Sequence, residues 1–150
     1  MKPLTLMDEE EVYGLFNNDL VLQSYPVKPI DTREQTPAFI RRITTDGCWS
    51  WKITPLEGSD LIGICSLHHL DEVNKTIEIG GTLLPQYWGK GVMGSAFEII
   101  IERAQMDFKV EKVIGRTLSS NIQAIQLVKK LGFELVSAGG SETVLAKPLV

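Results

Sequence analysis

Cysteine is nearly missing from this chain. Its 150 residues hold two, Cys48 and Cys65, far apart and outside any C-x-x-C spacing. That excludes a disulfide scaffold. With the adjacent His68 and His69 they make a poor zinc set, so no metal is expected. Two reduced, buried thiols fit a cytoplasmic protein. Long apolar runs are also missing. Nothing approaches the ~20 apolar residues of a membrane span, and "MKPLTLMDEEEVYG" lacks the apolar core of a signal peptide, so no membrane partner is expected. Positive charge is not in excess. Fifteen Lys and Arg face nineteen Asp and Glu, a net charge of −4, which argues against nucleic acid as a partner. No repeat or low-complexity tract occurs. What is present is an ordinary globular balance of 43% apolar and 23% charged residues. The length predicts a single domain, 1–150, that needs no staples.

The periodicity gives a coarse order of elements. "LMDEEEVYGLFNND" predicts a short helix, with Asp8 as cap and Val12, Leu15 and Phe16 on one face. "SYPVKPID" reads as a surface connection. "DTREQTPAFIRRIT" predicts a second helix. Thr32 and Gln35 have capping-box spacing there, and Pro37 marks a break near its start. Three strands follow, in "CWSWKIT", "LIGICSLHHL" and "TIEIGGTLLP", separated by short turns. They predict an antiparallel meander. A helix from near Val92 presents Ala96, Phe97, Ile100, Ile101, Arg103 and Ala104 on its inner side. "VEKVIGRTL" reads as a strand. "SSNIQAIQLVKKLGF" reads as a helix with Ile122, Ile125, Val128 and Leu131 inward and Gly132 as its stop. "FELVSA" and "TVLAKPLV" close with a hairpin. Strand 77–84, helix 92–106 and strand 112–118 form one crossover, so those two strands should be parallel. The fold class is α+β with a mixed sheet.

"GKGVMG", residues 89–94, has the G-x-G-x-x-G spacing of a dinucleotide fingerprint. That fingerprint belongs in the first turn of serial βαβ units. Here three antiparallel strands and two helices come first, so the topology excludes an NAD(P) oxidoreductase. A Walker loop fails as well, because Leu84 stands five before Gly89 and Gly91 follows Lys90. What remains is a strand, a glycine turn and a helix. The amides of a first helical turn lack internal acceptors and carry the positive end of the helix dipole, which makes an anion site. Gly89 and Gly91 let the backbone come close to a phosphate, and Lys90 adds a cation. A turn that needs glycine only for its geometry explains the same residues.

The wider context decides. Q-x-x-G-x-G after an antiparallel strand, then a helix, a strand and "NIQAIQLVKKLGF", resembles the GNAT superfamily of acetyl-CoA-dependent N-acetyltransferases. "IEIGGTLLPQYWGKGVMG" is similar to the branch related to ribosomal-protein N-terminal (alanine) acetyltransferases. The resemblance implies the acyl-CoA N-acyltransferase fold, with acetyl-CoA as co-substrate and a primary amine as acceptor, either a small molecule or a protein N-terminus. It leaves room for a homodimer. It also implies a first strand, for which only "KPLTL" stands.

The resemblance assigns roles as well. The strand before the loop should splay from its neighbour at a bulge, where the backbone of Thr82, Leu83 and Leu84 pairs with the pantetheine arm. The pyrophosphate should rest on the amides of Trp88, Gly89, Lys90, Gly91, Val92, Met93 and Gly94. Asn121 matches an asparagine that touches the cofactor, and it also suits a helix N-cap. Glu78 is the candidate base, acting directly or through water, and a partly buried carboxylate there is expected to have a raised pKa. A solvent-facing carboxylate paired with Lys75 is the alternative. An amide near Leu83 is the oxyanion donor. Relatives carry Ser three residues after the asparagine, or a nearby Tyr, to protonate the departing thiolate. Here that position is Ala124, which leaves Ser119, Ser120 or water. Trp49, Trp51, Tyr25 and His68 are candidates for lining the pocket, although large aromatics on strands usually pack. A non-catalytic acyl-CoA-binding module of the same fold is the rival reading.

Overall fold

The computed structural model describes residues 1–149. Its elements run β1 (Lys2–Pro3), α1 (Glu9–Phe16), α2 (Asp19–Leu22), α3 (Thr36–Thr44), β2 (Trp49–Ile53), β3 (Gly63–Asp71), β4 (Thr76–Leu83), α4 (Val92–Phe108), β5 (Lys112–Leu118), α5 (Ile122–Lys130), β6 (Glu134–Gly139) and β7 (Glu142–Pro148). Seven strands form one sheet in the order β1-β2-β3-β4-β5-β7-β6. The meander β2-β3-β4 is antiparallel, and β4 and β5 are parallel. The closing hairpin is present, but β7 lies inside, between β5 and β6. Val150, the last residue of the expected strand, lies outside the described residues.

Strand alternation sorts the side chains to two faces. On one face Ile77, Ile79 and Leu83 pack with Ala96, Phe97, Ile100, Ile101 and Ala104 of α4 and with Val128 of α5. On the other face Ile64 packs with Val12, Leu15, Phe16, Phe39 and Ile40 from α1 and α3. At Gly81 a Cβ would lie 2.7 Å from Met93 Sδ and 2.9 Å from Phe97 Cε1, so this glycine lets α4 sit close on β4.

Several local expectations need correction. Asp8 does not cap α1 through its side chain. It is instead the acid of a capping box with Thr5 around the 3-10 turn Leu6–Asp8, and its other oxygen accepts from Lys52 Nζ at 2.9 Å. The Thr32–Gln35 capping box is present, and Pro37 stands in the first turn of α3. Arg103 and Ile122 are exposed. Arg103 lays its guanidinium over the Trp51 ring, and Ile122 is the first residue of α5 after its Asn121 cap. Trp49 and Trp51 pack on the α4 side. Gly132 stops α5 with φ 96°.

Candidate active site

The parallel pairing of β4 with β5 stops at Ile79 and Gly115. Beyond it β5 pairs only with β7 on its other side, while β4 stays on β3 as far as Leu83. The two strands therefore part over the last four residues of β4, as expected. The expected bulge is elsewhere: the register shift lies in β3, between His68 and Asp71.

Leu84 donates its amide to the Ile62 carbonyl at 2.9 Å. Backbone groups alternate along a strand, so those of Leu83 point the other way, into the gap. The Leu83 carbonyl accepts from the Trp88 indole Nε1 at 2.8 Å, which leaves its amide facing the opening. Of the three residues assigned to pantetheine pairing, only Leu83 offers an N–H there. Leu84 has spent its own on Ile62, and the backbone of Thr82, opposite Ile64, points toward β3 while its hydroxyl meets that of Tyr25.

The gap leads to the glycine turn. Gly89 and Gly91 take φ 73° and 77°, and nothing stands within 4 Å of where either Cβ would be. Gly91 caps α4 without a side-chain bond. The first helical bond to this turn runs from the Ser95 amide to the Gly91 carbonyl at 3.1 Å. The amides of Val92, Met93 and Gly94 therefore precede the helical ladder and are available. The Trp88 amide is not, because it donates to the Pro85 carbonyl at 3.0 Å. The cradle starts at Gly89, and Trp88 contributes its indole. Lys90 is exposed, its Nζ 5.9 Å from the Tyr87 ring centre.

Asn121 stands on the far lip of the gap. Its Oδ1 accepts from the Ala124 amide at 3.2 Å, so the N-cap is real, and its Nδ2 donates to Ser24 Oγ at 3.3 Å. The next residue, Tyr25, hydrogen-bonds through its hydroxyl to the Thr82 hydroxyl on the near lip. The Ser24 and Tyr25 pair thus straps the opening. Burial pushes the Tyr25 phenol up and the Thr82 hydroxyl partly offsets it, so the phenol keeps its proton. Ser119 is taken by the Thr143 hydroxyl at 2.8 Å.

Glu78 sits one residue before the closed end of the gap, on the face shared with Thr82, with its side chain only 13% exposed. It does not pair with Lys75, which reaches Glu111 at 3.5 Å. Arg116 Nε donates to Oε1 at 3.2 Å, and His69 Nδ1 lies 3.0 Å from Oε2. His68 Nε2 is 3.8 Å from Oε1. Burial lowers the pKa of His68, against the attraction of Glu78. His68 also lies over Gly80, whose Cβ would be 3.5 Å from its Cε1. An open cleft of about 930 Å³ lies beside His69, bounded by Arg42, Asp46, Trp49 and Asp71. It is at the β3 bulge, away from the glycine turn.

Residues 1–134 fit the acetyltransferase (GNAT) domain. The chain belongs to the GNAT family. That family is one of acetyltransferases. This GNAT domain is 21% identical over 138 residues to the uncharacterized N-acetyltransferase YoaA of Bacillus subtilis, covering 89% of this chain and 78% of that one. It is 28% identical over 76 residues to a ribosomal-protein-serine acetyltransferase of Escherichia coli, covering 51% and 42%. A spermidine N-acetyltransferase from Vibrio cholerae, solved with CoA and spermine, superimposes with TM-score 0.81 at 16% identity over 97% of this GNAT domain and 90% of that chain. Among the described residues no helix is long and apolar enough to cross a membrane.

Proposed function

We propose that this GNAT domain acetylates a primary amine, a small molecule or a protein N-terminus, in the cytoplasm. The supporting observation is the parting of β4 from β5 after Ile79 and Gly115, which opens onto the amides of residues 89–94. Acetyl-CoA supplies an activated acetyl thioester. The amides of Gly89, Lys90, Gly91, Val92, Met93 and Gly94 hold its diphosphate, and the Leu83 backbone pairs with its pantetheine as an added strand would. The Leu83 amide also points where negative charge develops on the carbonyl oxygen. Asn121 borders the pantetheine from the far lip.

Glu78 accepts the proton of the incoming ammonium. It stands five residues before Leu83, about 16 Å along the strand at ~3.3 Å per residue, so water carries the transfer. Arg116 and His69 fix its carboxylate. Tyr25 supplies the proton that the departing thiolate needs, the role left open by Ala124. Its phenol is protonated and hydrogen-bonded at the strand edge. Free thiols at Cys48 and Cys65 support the cytoplasmic placement. Nothing in the matched relatives favours a non-catalytic module.

The test is twofold. Acetyl-CoA should raise the melting temperature and NADP should not; a ligand of the folded state stabilises by about 2.7 kcal/mol at a hundredfold excess over its Kd. Coenzyme A release should then follow addition of some member of an amine panel. Burial pushes the Cys65 thiol up to about 12, so a thiol reagent meets only Cys48 as background, and Cys48→Ser removes it. Equal shifts from the two nucleotides would overturn the cofactor assignment. Acetyl-CoA binding with no release across small amines and N-terminal peptides would favour the non-catalytic module.

A further inference from the structure

Strand β3 breaks its alternation at one place. His68 faces Glu78 and Asp71 faces Thr76, so His69 and Leu70 together oppose Ile77 alone. His69 takes φ 51° to allow this. In a regular strand consecutive side chains point to opposite faces. At this bulge both imidazoles come to one side, their ring centres 4.8 Å apart. Bulges re-aim side chains in this way, and a non-glycine residue at positive φ is uncommon enough to ask what it positions.

Glu78 completes the set. One donor atom from each of His68, His69 and Glu78 lies within 4.8 Å of the others. In a tetrahedral zinc site with bonds of ~2.0–2.2 Å, ligand atoms stand about 3.3–3.6 Å apart. His69 Nδ1 stands 3.0 Å from Oε2 and His68 Nε2 stands 3.8 Å from the other oxygen, Oε1, so both imidazoles reach the carboxylate at close to that spacing, each on its own oxygen. The remaining gap closes by rotation of His69, whose side chain is 72% exposed. A ligating carboxylate needs an outer partner to hold it, and Arg116 serves as one on Oε1 while Oε2 faces His69. The guanidinium does not leave the cluster positive, because Glu142 lies 3.5 Å from its Nη1. Two carboxylates and one guanidinium leave a formal charge of −1 to meet a cation.

We propose that His68, His69 and Glu78 form a three-ligand site for a divalent transition metal ion, zinc foremost, with its fourth position open. Two imidazoles and a carboxylate are the donor set that suits such an ion and leaves an exchangeable position. The ion would occupy the carboxylate assigned above as proton acceptor, so zinc and acetyl transfer exclude one another. That consequence rests on the functional reading, whereas the binding site does not.

The experiment uses the full chain. Zinc is titrated by calorimetry, and cobalt(II) by its visible absorption, into the parent protein and into His69→Asn. Asparagine tolerates the left-handed backbone and removes one imidazole. The expected result is one ion per chain with four-coordinate cobalt bands, and at least tenfold weaker binding in His69→Asn at an unchanged melting temperature. Absence of saturable binding, or equal affinity in the variant, overturns the site. Each protein's turnover is then followed against its own metal-free rate at rising zinc. Inhibition of the parent alone supports the whole proposal. Stoichiometric zinc with undiminished turnover keeps the site and removes Glu78 as proton acceptor.

Discussion

The Trp88 indole donates to the Leu83 carbonyl at 2.8 Å, tying the glycine turn to the end of β4. Leu83 belongs to the open strand edge, and Trp88 begins the turn proposed to hold the diphosphate. The bond therefore sets the angle between the two halves of the proposed cofactor site. Trp88→Phe should weaken acetyl-CoA binding about fivefold, the equivalent of one hydrogen bond of about 1 kcal/mol. Calorimetry checks this, and unaltered affinity would mean that the turn holds its shape alone.

Gly91→Val should damage cofactor binding more than folding. Nothing crowds the position, so the cost to stability is that of φ 77°, about 1–2 kcal/mol for a residue with a Cβ. The branched side chain would also fill open space beside the turn proposed to hold the diphosphate. Thermal melts with and without acetyl-CoA separate the two losses. A variant that melts lower yet keeps the full ligand-induced shift would place the diphosphate elsewhere.

Glu78→Gln keeps the shape and removes the proposed base. Turnover should fall by roughly a hundredfold near neutral pH, the usual worth of a general base, while acetyl-CoA affinity holds. The deficit should shrink as pH rises toward the amine's own pKa, because free amine then forms without help. An equal deficit at every pH would instead mark Glu78 as the residue that positions Arg116 and His69.

Much of the groove was legible in the sequence because it is made of local backbone. Gly89 and Gly91 announce positive φ, Asn121 announces a cap, and the meander follows from alternation and short turns. The rest depends on contacts that no local pattern records. Tyr25 reaches Thr82 across 57 positions. His68 and His69 look like one inward and one outward residue until a bulge turns both the same way. Even the placement of the Trp88 amide follows from a 3-10 turn at Pro85, where the glycine pattern shows only a loop.

Tyr25→Phe should lower turnover by roughly a hundredfold at neutral pH, toward the lower end of acid catalysis, with acetyl-CoA binding retained. The loss should fade at alkaline pH, where the thiolate departs without a proton. Thr82→Val serves as the control: it removes the same hydrogen bond and leaves the phenol. Should Thr82→Val and Tyr25→Phe lose activity equally, the hydroxyl pair is a brace across the gap and the donor is water.

The place of β7 between β5 and β6 has a consequence for how the chain is made. Synthesis runs at about 5–20 residues per second, so roughly a second or more separates the emergence of Leu118 from that of Pro148. In that interval β5 has β4 on one side and nothing on the other, and β6 has no neighbour. Both then show unpaired edges, which invite pairing with other chains. β6 is exposed along its whole length even in the finished sheet, with Leu135 54% and Val136 64% accessible. A nascent chain stalled between Gly139 and Glu142 would hold a complete glycine turn and α4 while offering two raw strands to its surroundings.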